Sequence, residues 1–196
     1  MVRSSPRALV GLLAASAAAT ASAAPTVAAR GDAPACVPPP AGTKYGWSIG
    51  EFVFNKSITF STPAHQIDGG VVQFNLSNPS LAYPAVCAAY SSQLSEFFYG
   101  NIVYNCTTEN PDTATAFTFN APTGQLNVNQ SWMCIDPDNG PYPTTFAYKA
   151  SVDLTPACTS SSYKNPDWHM GEIYSSNTTA CVQKDVTLLP QPQAEA

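Results

Sequence analysis

From Gln125 to Cys134 the chain alternates: Leu126, Val128, Trp132 and Cys134 share one parity, Asn127, Asn129 and Ser131 the other. Side chains two apart lie on one face only in an extended strand, so this stretch is a β-strand with one apolar and one polar side. Phe146, Tyr148, Ala150, Val152 and Leu154 repeat the period. A strand cannot bury an apolar face alone; it needs a second packed sheet or closure into a barrel. Shorter runs bounded by Gly, Pro, Asn and Asp extend the pattern: 47–54, 57–61, 71–76, 86–90, 100–106, 116–120, 172–174 and 182–188. Helix signals are scarce, and only Ser92 to Phe98 could form a short helical turn. The expectation is an all-β, single antiparallel β-barrel or β-sandwich of about ten strands.

The N-terminus is of another kind. Arg3 and Arg7 precede an apolar run from Ala8 to Ala19 and a small-residue cleavage site at Ala21, Ser22 and Ala23, which reads as a secretory signal peptide over 1–23. Residues 24–43 are rich in Ala and Pro and read as a linker or short propeptide, with Arg30 as a possible processing site. The folded domain is expected over 44–189, followed by a polar tail over 190–196 that is unsuited to a lipid-anchor signal. A secreted, extracellular protein without a membrane anchor is expected.

That compartment gives the cysteines their meaning. Cys36, Cys87, Cys106, Cys134, Cys158 and Cys181 are even in number and lack CxxC spacing, so three disulfides are expected rather than a metal site. Fifteen connectivities are open. Pairing of neighbours along a meander would give Cys87 with Cys106 and Cys134 with Cys158, leaving Cys36 for Cys181. Five sequons, at Asn55, Asn75, Asn105, Asn129 and Asn177, are candidate N-glycosylation sites in such a protein.

Charged residues are only 11% of the chain and the net charge is -5, which removes the basic surface that nucleic-acid binding requires. Catalytic motifs are missing. His65 lies in a loop-like stretch, and no GxSxG elbow holds a serine. Asp136 to Gly140 departs from the calcium-loop pattern and reads as a turn. No cofactor and no metal are called for. Glu51 and Glu172, both on expected strands, are the carboxylates that a polysaccharide hydrolase would use. Asp167-Trp168-His169 is the most chemically loaded cluster; Trp168 either stacks on a ligand or plugs one end of the fold. With His169, Tyr163 and Tyr99 it forms the candidate ligand-binding set.

The segments Trp47-Ser48-Ile49-Gly50-Glu51-Phe52, Ile58-Thr59-Phe60-Ser61, Phe74-Asn75-Leu76, Tyr104-Asn105-Cys106 and Leu126 to Cys134 together resemble the family of the major Alternaria allergen over about 44–181. The resemblance implies a disulfide-stabilised β-barrel of filamentous fungi, sometimes dimeric, acting as an allergen, elicitor or effector, with no catalytic residues to carry over. The expected function is a non-enzymatic protein, monomer or homodimer, that binds a host protein or a cell-wall polysaccharide. The alternatives are the hydrolase and a structural wall or matrix protein.

Overall fold

The computed structural model describes residues 36, 37, 39, 45–92, 98–135 and 142–193. The expected signal peptide, the body of the linker, the helical turn between Ser92 and Phe98 and the Asp136–Gly140 turn lie outside the described residues or nearly so.

Among the described residues eleven strands follow one another: β1 (Trp47–Thr62), β2 (His65–Ser77), β3 (Ala85–Ser91), β4 (Tyr104–Asn105), β5 (Thr113–Asn120), β6 (Gln125–Ile135), β7 (Pro143–Asp153), β8 (Ala157–Lys164), β9 (Ser175–Gln183), β10 (Val186–Leu188) and β11 (Gln191–Pro192). All pairings are antiparallel. One sheet runs β3-β2-β1-β9-β8, with β10 also on β1, and the other β11-β7-β6-β5-β4. Val86 and Thr107 bridge them along one side. Among the described residues, strand pairing does not close the two sheets into a ring.

The alternation is realised as expected. Leu126, Val128, Trp132 and Cys134 are buried, and the Trp132 ring stacks on Phe146 and Tyr148 across the β6–β7 ladder. Phe52, Phe54, Phe74, Phe98, Phe117 and Phe119 fill the space between the sheets, with edge-on ring contacts such as Phe54–Phe119 at 5.4 Å. Polar side chains also point inward, Thr113 and Thr115 on β5 and Gln130 on β6. Gln130 accepts from Asn78 Nδ2 at 2.7 Å and donates to Thr115 Oγ1 at 2.9 Å, so both halves of its amide are satisfied. Tyr45 donates to Asn78 Oδ1, which ties the start of the domain to the same network.

β1 departs from strict alternation at one point. Ile49 and Phe52 both face the core although they are three positions apart, because Glu51 is the extra residue of a β-bulge between Gly50 and Val53. Glu51 has φ of 55°, unfavourable for a side chain with a Cβ, and Asn75 Nδ2 donates to its carboxylate at 2.6 Å. The spacing Trp47-x-Ile49-x-x-Phe52 is therefore the imprint of a bulged strand. Gly124, in the β5–β6 turn, has φ of 74°, and a Cβ there would collide with the Leu154 carbonyl. Only glycine fits that turn.

The disulfides are Cys36–Cys134, Cys87–Cys106 and Cys158–Cys181. Of the meander pairings only Cys87–Cys106 occurs. Cys134 is buried on β6, whereas Cys158 faces Cys181 across the β8–β9 ladder, so Cys134 and Cys158 are held in different sheets. Two further expectations are corrected. The runs 47–54 and 57–61 are one strand, β1, and 172–174 is loop, with β9 starting at Ser175. The Ser/Thr-rich strand β8 was absent from the expected set because it has no apolar alternation: it is exposed throughout.

Candidate functional site: a grooved β-ribbon

Beyond Phe54 the first sheet loses the cover of the second. Phe54 still packs on Phe119, but the next side chains of that face on β1, Lys56, Ile58 and Phe60, are only half-buried. The register places Thr179, Asn177 and Ser175 of β9 beside them, and Ser160, Ser162 and Lys164 of β8 beyond. From Phe54 to Phe60 this face, which the second sheet does not cover among the described residues, extends about 20 Å at the usual strand rise. On β2 it also carries Asp68, buried, whose Oδ2 accepts from Gln66 Nε2 at 2.6 Å.

Two concavities meet along the face. One, of about 310 Å³, lies between the ribbon and the β5–β6 turn and is lined by Phe54, Lys56, Phe119, Pro122, Leu154 and Thr179. The other, of about 280 Å³, follows the ribbon outward along Lys56, Ile58, Ser160, Ser162, Asn177 and Thr179. The result is a groove with an apolar inner end and rims of hydroxyl and amide groups. Thr179 Oγ1 pairs with Ser160 Oγ at 3.0 Å, which steadies the rim.

The ribbon ends in a folded loop. The Glu172 carboxylate accepts from Asn165 Nδ2 at 3.0 Å and from the His169 backbone N–H at 3.1 Å. Trp168 donates Nε1–H to the Glu172 carbonyl at 2.8 Å and packs edge-on against Tyr174, whose ring also lies 5.7 Å from the Lys164 ammonium. Tyr174 N–H reaches the Phe60 carbonyl at 2.8 Å, fastening the loop to β1. Trp168 is half-buried within its own loop and does not plug the core.

Of the expected ligand-binding set, Trp168 and His169 lie together in this loop, whereas Tyr163 precedes it on β8 and alternates with Ser162 and Lys164, so it lies on the face opposite the groove. Tyr99 does not join them. It is bridged to Asn120 at the end of β5, where its carbonyl accepts from Asn120 Nδ2. Ser160, Ser162, Asn177 and Thr179 were missed as groove residues; the hydroxyl-rich, β-tolerant run between Cys158 and Cys181 is the signal that could have found them.

The two candidate carboxylates are kept apart. Glu51 sits nine residues before Phe60 on β1, and the Glu172 loop is fastened at Phe60, so about 30 Å of strand separates them. Paired glycosidase carboxylates work at roughly 5–9.5 Å. Glu172 also lies in a loop rather than on a strand. At the β1–β2 turn Ser61 Oγ and His65 Nδ1 are 2.7 Å apart, and no carboxylate bonds that ring among the described residues. Among the described residues no three His, Cys, Asp or Glu side chains cluster to hold a metal.

The family model described as Alternaria alternata allergen 1 matches residues 49–181, from the inward Ile49 of the bulged β1 to the bridged Cys181 of β9. The chain belongs to that family. Comparison with curated proteins and with solved structures returns no match. The matched span contains Cys87–Cys106 and Cys158–Cys181 whole, and it includes Cys134 but not Cys36. The ribbon and its loop fall inside it, so the groove is part of the allergen domain.

Proposed function

We propose that this allergen-family chain is a secreted, non-enzymatic binding protein that takes a neutral cell-wall polysaccharide along the inner face of the β1–β9–β8 ribbon. The observation that carries the reading is the groove itself. It is open along its length, apolar at Ile58 and Phe54, and rimmed by Ser160, Ser162, Asn177 and Thr179. Sugars present apolar ring faces and hydroxyl edges, which such a surface matches. The wide separation of Glu51 and Glu172 speaks for binding without bond cleavage.

The test is to incubate the purified protein with insoluble chitin, glucan, cellulose, xylan and plant-wall material, measuring loss from solution and sugar released. Depletion on one polymer without release is expected, with at least a tenfold loss of retention in Thr179→Arg, which obstructs both concavities. The Asn177→Gln variant, run in parallel, keeps any attached sugar out of the groove. Release of soluble sugar would refute the non-enzymatic reading. Retention unchanged in Thr179→Arg would refute the groove, and absence of depletion on every polymer would leave a host protein as the better partner.

A further inference from the structure

The opposite, outward face of the same sheet poses a different question. Between the β1 bulge and the hairpin tip its outward positions carry no Asp, Glu, Lys or Arg. Instead Val53, Val71, Val86, Ala88, Tyr90, Ala180 and Val182 alternate with hydroxyl and amide side chains. Val71, Val86 and Val182 are exposed. A row runs across the strands as Tyr90–Val71–Asn55–Ala180–Thr159, and Asn55, with Ser57 two residues on, is at its centre.

We infer that Asn55 carries an N-linked glycan whose first sugars lie against Tyr90 and shield this uncharged face. The inference rests on the secretory reading above. Asn55 is exposed on a central strand. Tyr90 does not stand upright: its phenol end lies over Gly69, where a Cβ would meet Oη at 3.2 Å, Cε2 at 3.6 Å and Cζ at 3.8 Å. The missing side chain lets the ring fold down along the sheet, yet Tyr90 remains 65% exposed, so most of it faces solvent. Gly69 lies opposite Ser57 and is the diagonal neighbour of Asn55, a separation of about 7–8 Å that one sugar residue spans. The other sequons offer less. Asn75 has its amide committed to Glu51, and Asn105 precedes the bridged Cys106. The Asn129 side chain accepts from Gln193, and Asn177 lies in the groove on the other face.

The experiment uses full-length chain expressed through the secretory pathway of a glycosylating eukaryotic host, with glycopeptide mass spectrometry and thermal unfolding. Asn55 is expected to be occupied. Asn55→Gln is expected to lower Tm by about 2–4 °C when Tyr90 is present, the shift of one ring contact, and by less than about 1 °C in a Tyr90→Ala background. In unglycosylated protein the Asn55→Gln effect is expected to vanish, which separates sugar from side chain. An equal loss with and without Tyr90 would overturn the stacking. Secreted protein with another sequon occupied and Asn55 bare would overturn this inference alone. Protein that is not secreted and bears no glycan would overturn it together with the secretory reading.

Discussion

Gln130 offers a stringent test of the inner packing. It is 2% exposed on β6, in a row of otherwise apolar inward residues, and its amide links Asn78 to Thr115. Gln130→Leu keeps the approximate volume but deprives Asn78 Nδ2 and Thr115 Oγ1 of their partners. Each of the two buried polar groups left unpaired costs about 1–3 kcal/mol, and the added apolar contact of leucine returns part of their sum, so a net loss of about 2–4 kcal/mol is expected. For a domain of this size that is a fall in Tm of roughly 5–15 °C. Differential scanning calorimetry on Gln130→Leu, Asn78→Ala and the double variant measures it. The double variant should be less destabilised than the sum by about 1 kcal/mol or more, since the groups share one network. Asn127→Ala, on the outward side of the same strand, is the control, at about 0.5 kcal/mol or less. A Gln130→Leu loss under about 0.5 kcal/mol, or strict additivity, would refute a dry, closed network.

Other expectations follow from the same geometry. Glu51→Gly should leave Tm unchanged or raised, because glycine accepts the positive φ at no steric cost, whereas Glu51→Val should lower it by several degrees; thermal unfolding of both decides, and equal behaviour would remove the bulge argument. Burial pushes the Tyr104 phenol above its ordinary 10.0, and burial followed by the neighbouring Tyr45 does the same to Tyr148. The fold thus holds these protons more tightly than the unfolded chain does. Stability from this source is complete below about pH 10 and is lost as pH rises through the folded values, so urea midpoints should decline above about pH 10, less steeply in Tyr148→Phe. Replacing Cys158 and Cys181 by serine opens a loop of 23 residues, worth about 3 kcal/mol in the chain-entropy model. Hydrogen exchange of β8 and β9 should accelerate by about a hundredfold while β6 changes little; a uniform increase would mean that ribbon and core open as one unit.

How much of this was legible in the sequence depended on burial. β6 and β7 could be read because a half-buried strand writes its two faces as apolar and polar parity. β1 was read as two strands because its far half leaves the core and its apolar signal fades after Phe54. β8 was not legible at all: exposed on both sides, it asks nothing of its side chains except tolerance of extended backbone. Three disulfides and the Cys87–Cys106 pairing were legible, but the other two pairings were not, because β8 leaves the sheet of β6 and β7 and lies beside β9 in the other sheet, which takes Cys158 away from Cys134. Of the candidate site, the sequence marked the loop of Trp168 and His169 at the end of the ribbon, but the groove beside it is made of serines, threonines and an asparagine, which carry no distinctive spacing.

The same exposure that hid the ribbon explains its construction. An edge strand with no buried face gains nothing from the hydrophobic effect, so its order must come from other sources. β8 has four of them: its ladder with β9, the Cys158–Cys181 bridge, the hydroxyl pairs Ser160–Thr179 and Ser161–Thr178, and the Glu172-fastened loop anchored on Phe60. None depends on burying apolar side chains. A groove wall so built can keep its shape while presenting only polar rims to a ligand, and it can vary in sequence without disturbing Phe54, Phe119 or the rest of the core. On the proposed function, binding specificity and fold stability then fall to different halves of β1, divided where Phe54 gives way to Lys56.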